Sequence, residues 1–524
     1  MGALPTETDV VVVGGGLAGL AAARRLHQAG TPWLLVEAAD RLGGRVATDA
    51  VDGYLIDRGF QVVNTAYPRQ AALVDLASLN LGLLTQGVLV RRGGTRHRMV
   101  HPLRDPLGAA RTILTGLADG AQLGWLGRAP EPVGALARTA GAERASSVGR
   151  AFDRIRLAGL AARCAAYPVH RLLAAPELTA ELELRRAGLS DRIVEELLRP
   201  FLSGVFGERE LTTSSHVLAM VVRSFTRGRV GLPAAGMAAL PAAVAAPLPA
   251  SLVVLGVPAL SVRAGRVVTP AGTIRCRAVL VAVDPGTAHR LLPGLGTVRL
   301  NRLTTYYHSA AEPPVDEPIL LLDGDRRGVV ANTVVLSHAA PTYAPAGRHL
   351  VATSVAGPEV PPEPVVRAEL ARLYGRPVDD WEHLTTVSVA GALPAAPPPQ
   401  GRLRKPVALG EGIFVAGDHR ASPSAQGALA SGWGAAGAVL ETWRERLAGR
   451  AWVLSRDEAI AAGWFGRVVR REWLGRIGDV VAVPYGDCGV IASRQEPFEA
   501  AMVGMHGSLT AEEQYIPLVE VDTR

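Results

Sequence analysis

A short run of apolar, β-branched residues near the start of the chain predicts a strand buried on both faces of a sheet. Residues 9–13 read DVVVV, a composition typical of the central strand of a parallel sheet. An apolar run from Leu17 to Leu26 follows at helical spacing, and Gly30 ends it. Residues 32–36 then supply a second strand. The chain therefore opens with a predicted strand–helix–strand unit.

Three glycines in G-x-G-x-x-G spacing, Gly14, Gly16 and Gly19, connect the first strand to the helix. In such a turn the first permits a tight bend, the second lets backbone approach a pyrophosphate, and the third allows close helix–strand packing. The helix N-terminus offers free N–H groups to the phosphates, and Glu37, at the end of the second strand, can accept from a ribose. The unit predicts a dinucleotide site. Residues 432–437 repeat the spacing without a preceding strand and predict only a glycine-rich helix start.

The segment after this unit resembles a signature of one flavoprotein superfamily. Residues 40–45 (DRLGGR), together with Glu37, are similar to the E-x(3)-R-x-G-G-R signature of the FAD-dependent amine oxidase, phytoene desaturase and protoporphyrinogen oxidase superfamily. The glycine doublet lets a second loop approach the pyrophosphate, and the last arginine offsets its charge. The resemblance covers about residues 8–442 and implies FAD as the cofactor.

Later blocks of the chain resemble the same superfamily. Residues 54–61 (YLIDRGFQ) resemble the segment that passes beneath the isoalloxazine ring. Residues 253–257 and 276–283 resemble the paired strands beside the adenine, where the backbone of Val257 is expected to meet the base. Residues 413–418 (IFVAGD) and the helix start after them resemble its closing motif, whose aspartate accepts from ribityl hydroxyls. The predicted cofactor-binding residues are Gly14, Gly16, Leu17, Ala18, Gly19, Glu37, Arg41, Gly43, Gly44, Arg45, Gly59, Phe60, Val257, Gly417, Asp418, Gln426, Gly427 and Ala428.

We predict an α/β fold with a Rossmann-like, doubly wound FAD-binding domain, a discontinuous mixed α+β substrate domain and a small C-terminal α/β module. The substrate region is expected to hold a hairpin between Leu83 and Met99, helices over residues 106–198 with a mobile loop at 127–149, and a strand at 301–308. Tyr306, Tyr307 and His308 on that strand are candidate pocket walls. The predicted segments are 8–80, 215–298 and 396–442 for the FAD domain, 81–214 and 299–395 for the substrate domain, and 443–524 for the module.

Composition argues against several other classes of protein. Hydrophobic residues make up 48% and charged residues 20%, which is ample apolar material for packed cores. Three cysteines without a CxxC pair argue against a disulfide framework and a thiolate zinc cluster, so we predict no metal site and a reducing compartment. The net charge of +7 comes from scattered arginines, and only 5% of residues are aromatic. We therefore expect no nucleic-acid partner.

A long uncharged stretch raises the question of a membrane span. The residues between Arg229 and Arg263 carry no charge and are numerous enough to cross a bilayer. Prolines interrupt the stretch five times, which favours a loop, a short core helix and a strand. The N-terminus lacks the basic-then-apolar pattern of a secretion signal. We expect a cytoplasmic protein and leave peripheral membrane contact and the oligomeric state open.

The lysine content bears on the type of reaction. Amine-oxidising members of the superfamily commonly place a lysine near flavin N5, but Lys405, the chain's one lysine, precedes the last FAD strand. This favours removal of hydride from an apolar or polycyclic small molecule, as in the desaturase and protoporphyrinogen oxidase branches, with O2 or a quinone as electron acceptor. No catalytic dyad is assigned. Arg58, His308 and His419 are candidates for polar roles at the ring.

Three alternatives stay open at this point. A flavin-dependent isomerase or mutase would use a reduced flavin without net oxidation of its substrate. An amine oxidase would share the same cofactor site. A protein that binds flavin without turnover is the third alternative.

The C-terminal residues 452–524 resemble a different family, namely the closing segment of bacterial nucleotide pyrophosphatase and phosphodiesterase proteins of the alkaline phosphatase superfamily. In that family the histidine of the His-Gly-Ser motif, here His506, would be a zinc ligand. A zinc site needs three or four ligands, and the other residues of that superfamily do not occur upstream in recognisable order. We predict an appended module without hydrolase activity, with a helix near 457–462 and strands near 479–483 and 489–492.

Overall fold

The structure is a computed structural model, which describes residues 4–100, 151–441, 451–465 and 480–484. Several predictions above lie outside these residues: the helices over 106–150, the mobile loop at 127–149, the strand near 489–492 and the motif containing His506.

Twenty-three strands occur in the described residues. In chain order they are β1 (Val10–Val13), β2 (Trp33–Val36), β3 (Thr48–Val51), β4 (Tyr54–Asp57), β5 (Val63–Asn64), β6 (Gly82–Leu83), β7 (Gly87–Arg92), β8 (Thr95–Val100), β9 (Val230–Leu232), β10 (Val253–Val254), β11 (Ser261–Arg263), β12 (Arg266–Thr269), β13 (Gly272–Arg275), β14 (Ala278–Val281), β15 (Leu300–Ala310), β16 (Leu320–Asp323), β17 (Val330–Val335), β18 (His349–Ala356), β19 (Glu382–Pro394), β20 (Ala408–Gly410), β21 (Ile413–Val415), β22 (Ala451–Ser455) and β23 (Val480–Pro484).

Fourteen helices occur in the same residues. They are α1 (Leu17–Gln28), α2 (Pro68–Leu73), α3 (Ala151–Ala166), α4 (Val169–Leu173), α5 (Ala180–Arg186), α6 (Asp191–Ile193), α7 (Arg199–Phe206), α8 (Ser215–Arg227), α9 (Ala239–Ala245), α10 (Pro285–Leu291), α11 (Leu336–Ala339), α12 (Glu363–Tyr374), α13 (Ala425–Glu441) and α14 (Arg456–Ala461). A π-helical turn (Val194–Leu198) joins α6 to α7, and short 3₁₀ turns lie at Leu76–Leu79, Ala250–Leu252, Pro341–Tyr343 and Asp418–Arg420.

The first sheet has six strands in the order β10-β2-β1-β14-β21-β20. Strand β1 lies inside it, pairs in parallel with β2 and β14, and has all four valines buried. One face is covered by α1, α9 and α13, and the other by α10 and the antiparallel sheet β11-β12-β13. The predicted α/β class and its opening strand–helix–strand unit are confirmed. The second face carries an antiparallel meander where a doubly wound fold would place further helices.

The glycine-rich segment 432–437 lies inside α13, whose residues pack against α1. A Cβ at Gly432 would lie 1.8 Å from the carbonyl oxygen of Ala18, so the absence of a side chain lets the two helices approach closely. The repeated spacing therefore serves helix packing. The predicted helix start at 432 is wrong, because the helix begins at Ala425 and its first turns directly precede the segment.

A second sheet has seven strands in the order β19-β15-β18-β17-β16-β7-β8. The predicted hairpin is confirmed as β7 and β8, with Gly93 and Gly94 at positive φ in the turn. The predicted strand at 301–308 is confirmed as β15. One face of this sheet packs against α12, and α7 and α8 lie on the opposite side.

The uncharged stretch between Arg229 and Arg263 forms strand β9, the core helix α9, a 3₁₀ turn and strand β10, in line with the prediction. In the described part of the chain, no helix has the length and apolar character needed to cross a bilayer. Near the C-terminus, β22 and β23 form an antiparallel pair in contact with α14. The positions of α14 and β23 are close to the predicted ones, whereas β22 was not predicted.

Candidate flavin and substrate site

The three glycines of the opening turn occupy three different environments. Gly14 has φ +106°, and a Cβ there would lie 2.6 Å from the carbonyl oxygen of Ala282. A Cβ at Gly19 would lie 1.8 Å from the carbonyl oxygen of Gly14, so the helix packs directly on the turn. A Cβ at Gly16 would meet nothing within 4 Å and would enter the cavity. The turn thus has the bend, the close packing and the open approach that a bound pyrophosphate needs.

Glu37 stands at the end of β2, and backbone amides fix its carboxylate. Its Oε2 accepts from Gly15 N at 2.5 Å and its Oε1 from Ala39 N at 2.8 Å. Each carboxylate oxygen can accept a further hydrogen bond, and the side chain lines the cavity. The group therefore suits a ribose hydroxyl.

A second glycine loop lies against the first. Gly43 has φ +113° and Gly44 has φ +61°, and Gly43 N donates to the carbonyl of Gly15 at 2.9 Å. A Cβ at Gly44 would lie 3.4 Å from the Cα of Gly16. Both loops line one wall of the cavity, so the doublet leaves two stretches of backbone open to an anionic ligand.

Arg45 follows the doublet and forms an ion pair with Asp418, with 2.7 Å between Nη2 and Oδ1. Its Nη1 also donates to the carbonyl of Ala392, near the C-terminal end of β19. Burial opposes the charge on Arg45, but Asp418 outweighs it and raises the pKa of the guanidinium. Both side chains line the cavity. The cation expected to offset phosphate charge is thus held in place by the aspartate expected to meet the ribityl chain.

The residues before Gly59 are locked by the buried carboxylate of Asp57. Its Oδ1 accepts from Thr48 Oγ1 at 2.6 Å and Met237 N at 2.9 Å, and its Oδ2 from Tyr343 OH at 2.8 Å. Burial raises the pKa of Asp57, and these hydrogen bonds oppose the rise. Gly59 follows at φ +92° and lines the cavity. Asp57 is therefore a positioning residue for the segment expected beneath the ring.

One continuous cavity of about 880 Å³ joins these features to the seven-stranded sheet. Its FAD end is bounded by the glycine loops and the start of α13. Its other arm runs between the sheet and α3, α7 and α8, and the rings of Phe201 and Phe225 meet there edge to face, 5.5 Å apart. In the described chain, the apolar residues of this arm include Leu157, Leu160, Phe201, Val205, Val221, Phe225, Leu303 and Val389.

The structure brings most of the predicted site residues to this cavity. Those that line it are Gly14, Gly16, Leu17, Ala18, Glu37, Gly43, Gly44, Arg45, Arg58, Gly59, Phe60, Gly417, Asp418 and Ala428.

The remaining predicted residues lie behind the cavity wall. Arg41 is paired with Asp49, Gln426 accepts from Arg69 N, and Gly427 packs against Ser422. Gly19 and Val257 do not line the cavity either. Near Val257 the lining is formed by Pro258 and Ala259.

His308 and the two tyrosines of β15 are not brought to the cavity. His308 is fully buried on the α12 side and bonds Glu363 at 2.9 Å, and burial lowers its pKa to about 4. Tyr306 bonds the carbonyl of Pro361, and Tyr307 donates to the carbonyl of Asp57. Because side chains alternate along a strand, Tyr306 lies on the face of the sheet away from the cavity. The hydroxyl of Tyr307 is bound to the backbone of Asp57, so it does not reach the cavity either.

His419 lies just behind Asp418 and is buried without a hydrogen-bond partner among the described residues for either ring nitrogen. Burial lowers its pKa to about 4; Asp418 opposes this, while Arg420, Arg45 and Lys405 add to it. The imidazole is therefore neutral in the folded protein.

The neutral state of His419 predicts a pH-dependent stability. An unfolded histidine takes up a proton near pH 6.5, whereas the folded one does so only near pH 4. The stabilisation is present above pH 6.5 and falls by about 3 kcal/mol as pH drops through this window. We expect His419→Gln to flatten the slope in urea unfolding between pH 7 and pH 4. The same substitution at the exposed His27 should leave the slope unchanged, and equal slopes for all three proteins would contradict the account.

The sequence reasoning missed three residues that line the cavity at α10: Asp284 and Thr287 at its start and Arg290 in its last turn. Asp284 caps that helix by accepting from Gly286 N and Thr287 N, both at 3.0 Å. Burial tends to raise the pKa of Asp284, but these hydrogen bonds and Arg45 lower it overall. The signal was present, because an Asp-Pro pair that follows β14 after two intervening residues marks a helix start at the carboxyl end of a strand.

A dinucleotide turn, a second glycine loop and a cavity between two sheets define an FAD-dependent oxidoreductase. The chain belongs to the flavin containing amine oxidoreductase family, whose sequence profile matches residues 17–440. Members of this family bind FAD, and the glycine cradle described above fits that cofactor.

Curated relatives match shorter parts of the chain. Putrescine oxidase of Kocuria rosea is 43% identical over 125 residues, which is 22% of this chain and 25% of that protein. Amine oxidase [flavin-containing] B of Sus scrofa is 36% identical over 122 residues, 22% of each. The matched segments of the first relatives thus span about a quarter of their length.

Solved structures share the fold over most of the chain. A candidate protoporphyrinogen oxidase from Exiguobacterium sp. 255-15 has a TM-score of 0.59 at 20% identity, covering 84% of this chain and all of that one. Putrescine oxidase bound to putrescine has a TM-score of 0.55 at 17% identity, with coverage of 84% and 100%. Reduced UDP-galactopyranose mutase has a TM-score of 0.55 at 15% identity, with coverage of 83% and 96%.

The family match ends before the C-terminal module. The resemblance of residues 452–524 to the phosphodiesterase family therefore stays a prediction.

Proposed function

We propose that this protein oxidises an apolar or polycyclic small molecule by removing hydride from a C–H bond. The observation that supports this is the cavity arm described above, whose walls carry no charged side chain among the described residues. Bound FAD supplies the two-electron acceptor. The substrate loses two electrons and two protons in total, and O2 or a quinone takes them up to give hydrogen peroxide or a quinol.

The chain's own residues then have three tasks. The glycine loops, Glu37 and the pair of Arg45 with Asp418 would hold the cofactor. Gly59 and Phe60, fixed by the Asp57 network, would leave room for the ring. The apolar arm would bind the substrate and exclude water, so that positioning does the work that acid–base groups do in other enzymes.

Amine oxidation is the second candidate, and the names of the curated relatives favour it. Lys405 is not among the residues that line the cavity, and its backbone N–H donates to the carbonyl of Arg420. In the described chain, the carboxylates of the cavity (Glu37, Asp284 and Asp418) all lie at its FAD end. An ammonium group in the apolar arm would therefore be desolvated without a counter-charge.

A non-redox isomerase or mutase is the third candidate, since reduced UDP-galactopyranose mutase shares the fold. A sugar diphosphate in the substrate arm would need cations there, and the cavity arginines, Arg45, Arg58 and Arg290, lie on the FAD side.

Anaerobic reduction of the bound flavin separates the three candidates. We expect the 450 nm band of the purified protein to bleach with polyene or porphyrinogen donors and to stay unchanged with putrescine and benzylamine. Bleaching by amines alone would overturn the proposal in favour of amine oxidation. Turnover that begins only after reduction with dithionite would favour the isomerase.

We also propose the division of the chain into an FAD domain and a substrate domain that the sequence predicts. The six-stranded sheet takes strands from residues 10–36, 253–281 and 408–415, and the seven-stranded sheet takes them from 87–100 and 300–394, which supports it. We further propose that the protein is located in the cytoplasm. We also propose that the C-terminal module takes no part in catalysis. Deleting the residues from Trp452 onward should then leave FAD binding intact.

A further inference from the structure

Three polar side chains form a row on the cavity face of the seven-stranded sheet. They are Thr305 on β15, Ser354 on β18 and Asn332 on β17, and all three line the cavity. The sheet register places Thr305 opposite Ser354, and Ser354 opposite Asn332. Adjacent strands lie about 4.8 Å apart, so this polar row spans roughly 10 Å across the sheet.

The surroundings of the polar row are apolar. Leu303, Leu320 and Val389 flank it on the same face, and Phe201 and Phe225 lie among the residues of the helical wall. A hydroxyl or amide in such a place is costly to bury unless it finds a hydrogen-bond partner. On the sheet side of the arm the row is therefore flanked by apolar side chains, while Thr226 is a further polar residue of the lining, on α8.

The side-chain oxygen of Asn332 has no hydrogen-bond partner among the described residues. The residue is 4% exposed, and no described residue donates to its Oδ1. The next residue on the strand, Thr333, points to the opposite face and is satisfied there by Thr353 and Tyr374, both at 3.0 Å. The sheet thus satisfies a polar group on its outer face and leaves one on its cavity face unsatisfied.

Helix α7 makes room for the Asn332 amide. A Cβ at Gly204, which also lines the cavity, would lie 2.2 Å from Nδ2 of Asn332. Glycine is unfavourable inside a helix, and here its lack of a side chain is what admits the amide. The amide therefore lies between the sheet and α7 at the wall of the cavity.

Thr305 joins the polar row to the ring end of the site. Its Oγ1 accepts from Phe60 N at 3.2 Å, which leaves the hydroxyl proton free to donate elsewhere. A ligand group on the row would then stand at a fixed position relative to Gly59 and Phe60.

We propose that the polar row binds a hydroxyl group on an otherwise apolar substrate, with the hydroxyl donating to Oδ1 of Asn332. This inference rests on the proposed function and names the substrate class more closely. The oxygen is uncharged because the described residues of the sheet and of α3, α7 and α8 that line the cavity carry no charge. Anchoring it at Asn332 orients the substrate along the cavity, so the row selects which C–H bond faces the ring.

The test compares two ligands of equal size, 2-naphthol and 2-methylnaphthalene, by equilibrium dialysis against the FAD-loaded protein. We expect the wild type to bind 2-naphthol roughly fivefold more tightly, the effect of one net hydrogen bond. Asn332→Leu should abolish the preference, and Ser354→Ala should reduce it. Val389→Ala, on the same face, should weaken both ligands equally and keep the ratio.

The outcomes separate this inference from the proposal on which it rests. Equal affinity of the wild type for both ligands, or an unchanged ratio in Asn332→Leu and Ser354→Ala, would overturn the polar row while leaving an apolar substrate site in place. Failure of the wild type to bind either ligand would overturn both.

Discussion

Replacement of Gly16 by valine is expected to give a folded protein that is colourless. Gly16 has φ −75°, which any residue adopts, and a Cβ there meets no protein atom within 4 Å. The valine side chain would instead occupy the space through which the backbone must approach a pyrophosphate. The 450 nm absorbance per chain should fall to near zero, while the melting temperature of the apoprotein stays close to that of the wild type.

Gly434→Val is the matched control. Gly434 belongs to the glycine segment of α13 with the same spacing, is exposed, and has equal free space around its Cα. This variant should retain its FAD. A yellow Gly16→Val protein with full flavin content would show that the opening turn does not hold the cofactor.

Loss of Arg45 is expected to have the second largest effect. Asp418 is 4% exposed, so Arg45→Met leaves a buried carboxylate without its counter-charge. Breaking a fully buried pair on one side typically costs about 3 kcal/mol of unfolding free energy, and we expect a smaller loss here because Arg45 is partly exposed. FAD affinity should fall as well, because a cation of the cavity wall is lost. Urea unfolding of the apoprotein and titration with FAD measure the two effects separately.

The double variant Arg45→Met/Asp418→Asn distinguishes the two roles of Arg45. Removing the carboxylate charge should restore most of the stability, since no unpaired charge then remains buried. FAD affinity should stay low because the cation is still missing. Recovery of both properties would mean that Arg45 acts only by keeping Asp418 in place.

The FAD end of the molecule could be predicted because its chemistry is local in the sequence. The turn must bend, let its backbone approach a phosphate and pack closely on a helix, and each task needs a glycine at a fixed position. The spacing of Gly14, Gly16 and Gly19 therefore predicts the role of each. The same holds for the hairpin at Gly93 and Gly94, where two positive φ angles are required.

Side-chain direction could not be predicted in the same way. Tyr306, Tyr307 and His308 were expected as pocket walls, yet β15 presents Leu303 and Thr305 to the cavity instead. Which face of a strand is inward depends on the register of a seven-stranded sheet assembled from distant segments. The polar row was hidden for this reason, because its three members lie on three strands.

Pairing between distant residues was equally invisible. Arg41 and Arg45 stand four residues apart in one signature, but the first pairs with Asp49 outside the cavity and the second with Asp418 in its wall. Nothing in the sequence distinguishes Asp57 from other polar residues, whereas in the fold its carboxylate accepts hydrogen bonds from Thr48, Met237 and Tyr343. Such roles arise only once segments hundreds of residues apart meet.

The central claim is that one dinucleotide flavin spans the opening turn and the cavity between the two sheets. Calorimetric titration of the apoprotein with FAD and with FMN tests it most directly, since FMN lacks the adenosine half that Glu37 would hold. The account predicts one FAD per chain and much weaker binding of FMN. Equal affinity for the two flavins, or no uptake of either, would contradict it.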